Sequence, residues 1–434
     1  MQLIKNAHIL TMDQDDRIFH PGYLVIDGDR IKEVGSGEYA DESQCDWVLD
    51  AKDGILIPGM INCHTHLGMI PFRSLADDVP NRLHRFLFPL ENQAMDAPLV
   101  YASSKYAMAE MLLAGITSFV DMYYFEEEVA KACQEMKIRG IVAETVIDQA
   151  PDGEEKFTGL KYSRSFMEKW QNKGLVTPAI APHAPYSNTS ESLKAAQAIA
   201  ADFQAPWSIH LSEMDFEMSK YQKEYQSSPV QYLNDLGLLD DRLIAAHCIH
   251  VDAKDIDLLK EKGVAVAHCI GANTKSAKGV APIKEMLQAG IAVGLGTDGP
   301  SSNNSLDLFS QMRLLANFHK TYNYDRAAFP AREIVRLATY GGAQVIKRHR
   351  ELGSIKAGNL ADLCLVETQS ANMFPVFDPY AVLVYSANAS NVSHVWVNGH
   401  LCVEDKHLTG VSLDQLRNEL MQAMEPFNQA LANL

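Results

Sequence analysis

The chain lacks the marks of several protein classes. No apolar run approaches the roughly 18 residues of a membrane span. Its opening, MQLIKNAHILTMD, shows no basic stretch leading into a long apolar one, so it does not read as a signal peptide. The seven cysteines are odd in number and scattered, which fits cytoplasmic thiols better than a disulfide framework. Basic residues are scarce beside acidic ones: 38 against 55, a net charge of −17. That balance argues against binding nucleic acid through its phosphates and does not exclude a neutral small molecule in a local pocket. No HExxH occurs, nor the H-x-E with P-C-x-x-C of cytidine-deaminase zinc sites. Fixed-period repeats and low-complexity tracts are also missing.

What is present is a long alternation. Between residues 59 and 350, eight short apolar runs recur: GMINCHTHL, TSFVDMYY, GIVAETVID, TPAIAPHAPYS, PWSIHLSE, LIAAHCIH, VAVAHCIG and AVGLGTDG. Helix-like stretches such as DLFSQMRLLANFHK separate them. Strands alternating with helices predict parallel strands joined by crossovers. Eight units match an α/β fold of the (β/α)8 TIM-barrel type, with an open doubly wound sheet as the competitor. The flanks differ. LIKNAHILTM, YLVIDGDRIKEVG and WVLDAKDGILI at the start, and ADLCLVE and VSHVWVNGHLCVED near the end, read as strands, with hairpin signals at Ile26-Asp27-Gly28-Asp29 and Asn398-Gly399. Residues 1–58 and 351–410 therefore predict a small composite β-sandwich domain. Residues 59–350 predict the barrel, and 411–434 a closing helix with Leu416, Leu420, Met424 and Phe427 at helical spacing.

Polar residues favour the barrel over the open sheet. His64, His66, His183, His210, Glu213, His247, His268 and Asp298 fall at or near the C-terminal ends of the runs, where barrels carry their active sites. His64-Thr65-His66 is an i, i+2 pair at a strand end, so both imidazoles project to one face. Alone that pair is weak. With His210 and Asp298 it makes three imidazoles and a carboxylate in barrel order, a suitable set for one Zn²⁺, with Fe²⁺ or Mn²⁺ as alternatives. Gly294-Leu295-Gly296-Thr297-Asp298-Gly299 matches G-x-G-x-x-G, but it follows the last run rather than the first βα unit, so it reads as a decoy for a dinucleotide loop.

PGMINCHTHLGM, IAPHAPYS, IHLSE, AAHCIH and GTDGPSSNNSLDLF, in that order, resemble the amidohydrolase superfamily. The resemblance is greatest to its methylthioadenosine/S-adenosylhomocysteine deaminase group and the related triazine hydrolases, and it spans essentially the whole chain. It implies a homo-oligomer and an aminohydrolase that releases ammonia from a 6-aminopurine nucleoside or thioether nucleoside. Another ring, such as guanine, a pterin or a triazine, is the alternative; a noncatalytic metal-binding subunit is the remote one. Where some relatives carry a carboxylated lysine for a second metal, this chain has His183, and the next lysine downstream is Lys194, so one metal is expected.

The resemblance also implies roles. His64, His66, His210 and Asp298 hold the ion. Glu213 protonates the ring nitrogen, with a raised pKa that keeps it available as an acid. His247 orients the attacking water, and Asp298 passes the water's proton to the leaving ammonia. Glu91 matches the position that holds ribose hydroxyls, and His183 one that contacts purine and sugar. Other readings stay open: Glu213 as a carboxylate at a helix N-terminus, His247 as a core histidine, and His268 as either site or packing. The loop from Leu67 to about Ala94, with Phe72, Leu75, Leu83, Phe86 and Phe88, either covers the ring or packs as an amphipathic helix. Two departures stand out. Glu144 replaces an arginine that some relatives use for the amino-acid tail. HCIGANTKSAKGVAP replaces a His-Asn-Pro start, although Asn273 and Lys275 survive.

Overall fold

The structure is a computed structural model that describes residues 1–433. The chain forms two compact units. One comprises Met1–Asn62, Ala109–Ser118 and Asp307–Ser412; the other comprises Cys63–Met108, Phe119–Leu306 and the residues from Leu413 on.

Eight strands form one sheet in strict chain order: Met60–Thr65, Ile116–Tyr123, Arg139–Val146, Val176–Pro182, Trp207–Leu211, Leu243–His247, Ala265–His268 and Val293–Leu295. These correspond to the eight apolar runs. The pairing is parallel, as in the register from Trp207↔Leu243 to Leu211↔His247. Nearly every residue of these strands is buried, as expected where helices cover a parallel sheet and the sequence runs apolar without alternation. The two ends of the sheet meet where Asp298 N donates to His64 O at 3.0 Å, which closes the barrel. Local chemistry sets the crossover helices. Asp252 caps Ala253–Lys262 by accepting from the N–H groups of Lys254 and Asp255, and Gly263 ends that helix in the left-handed region.

The other sheet has nine strands of mixed direction drawn from both chain ends, so the predicted composite sandwich takes the form of one continuous hydrogen-bonded sheet. Ile55–Pro58 runs antiparallel to Leu363–Val366, which knits the ends together. The turn at Asn398-Gly399 has positive φ at both residues, as a two-residue hairpin requires. A Cβ on Gly399 would sit 2.0 Å from Gly28 O in the other predicted hairpin turn, so only glycine fits. Ile4, Ile9, Leu24, Ile26, Leu56, Leu363 and Trp396 build the core of this sheet.

The closing segment is two helices rather than one, Leu413–Ala423 and Glu425–Leu431. Pro426 lies in the first turn of the second, where its missing N–H is tolerated but cannot continue the first. Phe427 packs edge-on against Phe72, with centroids 4.9 Å apart.

Candidate metal centre and active site

Three of the barrel strands bring His64, His66, His210 and Asp298 to one point at their C-terminal ends, and hydrogen bonds fix how the rings turn. His66 Nδ1 donates to the carbonyl of Met122 at 2.5 Å, and His210 Nδ1 to that of His183 at 2.6 Å. Each bond commits Nδ1 to a carbonyl and turns Nε2 inward, the orientation that a metal-binding histidine needs. The two Nε2 atoms lie 3.4 Å apart. Asp298 Oδ1 is 3.0 Å from His66 Nε2 and 3.7 Å from His64 Nε2. His64 is fully buried, and neither of its ring nitrogens has a hydrogen bond among the described residues. Buried imidazole nitrogens without partners are costly unless something binds them. The donor set therefore fits a divalent ion of the zinc type. Burial holds His64 and His210 below the usual imidazole range, and so neutral. For His66 burial opposes charge, but the hydrogen bond to Asp298 prevails and raises it to about 9.

The glycines of the decoy motif have a packing reason. A Cβ on Gly296 would lie 3.1 Å from His64 N, and one on Gly299 3.1 Å from His66 Cβ. Asp298 between them has φ of 58°, and His247 and Cys248 have φ of 72° and 47°. Non-glycine residues in this region carry strain that concentrates at functional sites.

Beside the imidazoles stand Glu213 and His247. His247 is buried, its Nδ1 hydrogen bonds to Asn273 Oδ1 at 2.8 Å, and its Nε2 lies 3.6 Å from Glu213 Oε1. Lys278 Nζ donates to the same Oε1 at 2.5 Å. This corrects the expected acidity of Glu213. Burial alone would raise its pKa, but His247 and Lys278 outweigh it and hold the carboxyl at about 2. Glu213 also precedes the helix Asp215–Tyr225 and turns into the cavity.

His66, His210, Glu213, His247, Lys278 and Asp298 line a cavity of about 160 Å³. A larger hollow of about 730 Å³ shares Phe88, Glu91, Tyr124, His183 and Tyr186 with it. Glu91 and His183 thus stand where the inner chamber meets the outer one. Glu91 accepts from Tyr123 OH at 2.9 Å, and burial raises its pKa to about 7. Burial lowers His183 to about 4. The long first loop supplies Met69, Leu83, Leu87 and Phe88 to the wall, whereas Phe72 is buried against Phe427. His268 is buried and lines neither chamber.

Glu144, which stands in place of the arginine that some relatives use for the amino-acid tail, faces neither chamber. It is fully buried outside both chambers, and its Oε2 accepts from Glu126 N at 3.1 Å. Desolvation and the neighbouring Asp152 raise its pKa well above the carboxylate range. Sequence reasoning missed Lys278 and Tyr123. The surviving Lys275 instead braces Asp77 and Asn304, at 2.9 Å from each. No motif distinguishes the two lysines, because only the loop's path sends one inward.

Comparison with known proteins places this geometry. The model of the amidohydrolase family matches residues 55–402. A 5-methylthioadenosine/S-adenosylhomocysteine deaminase from Syntrophobacter fumaroxidans is 38% identical over 95% of each chain. A 5'-deoxyadenosine deaminase from Methanosarcina barkeri is 36% identical over 98% of this chain and 97% of its own. Among solved structures, a zinc-bound adenosine deaminase from Xanthomonas campestris superimposes with a TM-score of 0.94 at 28% identity, covering 99% of this chain and 98% of its own.

Proposed function

The chain belongs to the amidohydrolase family, and we propose that it is a one-zinc aminohydrolase that deaminates a 6-aminopurine nucleoside, with a small or thioether substituent at the 5' carbon. The observation that carries this reading is the pair of nested chambers. The inner one has room for a ring beside Glu213, His247 and Asp298, and the outer one begins at Glu91 and His183, where a ribose would emerge. The relatives' names share the same ring and sugar.

His64, His66, His210 and Asp298 are the residues that would hold the ion. When bound, it supplies Lewis-acid polarisation and makes water a competent nucleophile near neutral pH. The protein's own groups manage the protons. Replacing the amino group with the water's oxygen requires both water protons to move, one to the ring nitrogen and one to the departing amine. Glu213 rests ionised, so the proton it gives the ring nitrogen is one it first takes up inside the site, and the attacking water is the source. Asp298 carries the other proton to the leaving ammonia. His247, held by Asn273, orients the water. Glu91, held by Tyr123, accepts from the ribose hydroxyls, and His183 contacts ring and sugar.

None of the seven cysteines forms a disulfide among the described residues, which supports a reducing, cytoplasmic setting. No described helix is long and apolar enough to cross a membrane.

Ammonia release by the zinc-loaded protein tests the proposal. Adenosine, methylthioadenosine, 5'-deoxyadenosine and S-adenosylhomocysteine are compared with adenine, guanine, a pterin and a triazine. Activity is expected on the nucleosides, with Glu213→Gln keeping its metal and losing turnover by about 10²- to 10⁴-fold. Activity confined to another ring overturns the substrate assignment. Near-normal turnover by Glu213→Gln overturns the role of Glu213.

A further inference from the structure

The loop after the seventh barrel strand carries two lysines, and their environments differ. Lys275 is engaged with Asp77 and Asn304 away from the inner chamber. Lys278 lines the chamber, and its side chain is only 18% exposed. Its ammonium makes one protein contact among the described residues, to Glu213 Oε1 at 2.5 Å. That oxygen also faces His247 Nε2, while Oε2 of Glu213 accepts no hydrogen bond from the described residues.

The backbone that delivers Lys278 is fixed. Its N–H donates to Asn273 O at 2.9 Å, and Asn273 Oδ1 holds His247. Ala277 before it has φ of 56° and Gly279 after it φ of 129°. A Cβ on Gly279 would also lie 2.9 Å from Ile249 Cγ2. One short segment, Asn273 to Gly279, therefore sets the places of His247 and the ammonium together. A buried ammonium loses much of its hydration, and it is retained here only against a carboxylate. A carboxylate with one oxygen clamped has lost its rotational freedom, so the other oxygen presents a fixed lone pair to the chamber.

We propose that Lys278 is a positioning residue, whose ammonium clamps Oε1 of Glu213 so that Oε2 is aimed at the ring nitrogen to be protonated. This rests on the reading of Glu213 as the ring-protonating group. The charged and titratable groups facing Glu213 are Lys278, His183, Tyr186, His210, His247, Glu217, Cys269 and Asp298. Lys278 is the one among them that brings a permanent donor to the carboxylate at hydrogen-bond distance.

The test is a double-mutant cycle in the zinc-loaded enzyme, read on the nucleoside it prefers. Lys278→Ala is expected to lower kcat roughly ten- to a hundredfold, the span of a charge-assisted hydrogen bond, while KM changes little. Lys278→Arg, or ethylammonium added to Lys278→Ala, is expected to recover part of kcat. Glu213→Gln/Lys278→Ala is expected to be no slower than Glu213→Gln alone, because both substitutions break one device. Additive losses, or a rise in KM at unchanged kcat, would show that the ammonium binds substrate independently and would overturn the proposal. Wild-type kcat in Lys278→Ala overturns it outright. Near-normal turnover in Glu213→Gln is a separate result, which removes the role of Glu213 whatever Lys278 does. Unfolding temperature and bound zinc, measured on each variant, identify any that merely misfold.

Discussion

The nine-stranded sheet and the mouth of the barrel are both densely buried, yet burial does opposite work in them. In the sheet a cluster of apolar side chains is buried, from Ile4 and Leu24 to Leu363 and Trp396. Removing that surface from water stabilises the fold, at about 25 cal/mol per Å². At the barrel mouth the buried groups are His64, His210, Glu213, His247 and Asp298. Desolvation there keeps His64 and His210 neutral, and it is opposed at Glu213 by neighbouring positive charge. Backbone strain is divided in the same way. In the sheet, left-handed residues sit at turns such as Asn398 and at the bulge of Asn6 in the first strand, whereas in the barrel they include His247, Cys248 and Asp298 at the site. A site holding unpaired imidazoles and strained strand ends lowers stability in exchange for chemistry. The sheet, which has no such task, contributes stability without that penalty.

Three experiments would break or sharpen this contrast. Stripping the metal with a chelator is expected to abolish turnover and lower the unfolding temperature, and added Zn²⁺ to restore both, because a ligand of the folded state stabilises it by mass action. Turnover that survives with no bound metal by elemental analysis would remove the ion from the account. Asn273→Ala, which frees His247 Nδ1, is expected to reduce kcat about ten- to a hundredfold, as losses of an outer partner do. An unchanged kcat would mean that His247 needs no such support. Trp396→Ala should cost about 3–5 kcal/mol in denaturant unfolding. Turnover per folded molecule at 25 °C is expected to remain that of the parent, and a fall would show that the sheet does more than stabilise.

Much of this arrangement is legible along the chain. Barrel strands pair in sequence order and expose their C-terminal ends on one face, so polar residues that end successive apolar runs must converge. His64, His66, His210 and Asp298 meet for that reason, and the i, i+2 spacing brings the first two to the same side. The hairpins at Gly28 and Gly399 are equally local, since turn chemistry is written in adjacent residues. Glu144 shows the limit. It lies on a barrel strand, but whether its side chain meets a ligand or Glu126 N depends on the packing around it.

The sequence by itself therefore determined the strand order, the end of the barrel that carries the chemistry, and the residue types gathered there, because each follows from short-range periodicity and a regular topology. Only the tertiary structure decided that Lys278 rather than Lys275 reaches Glu213, that His247 and Lys278 together keep Glu213 ionised, and that Glu91 is held by Tyr123 at the junction of two chambers. Those outcomes depend on loop paths and on the summed field of groups far apart in the chain, and neither is encoded in local spacing.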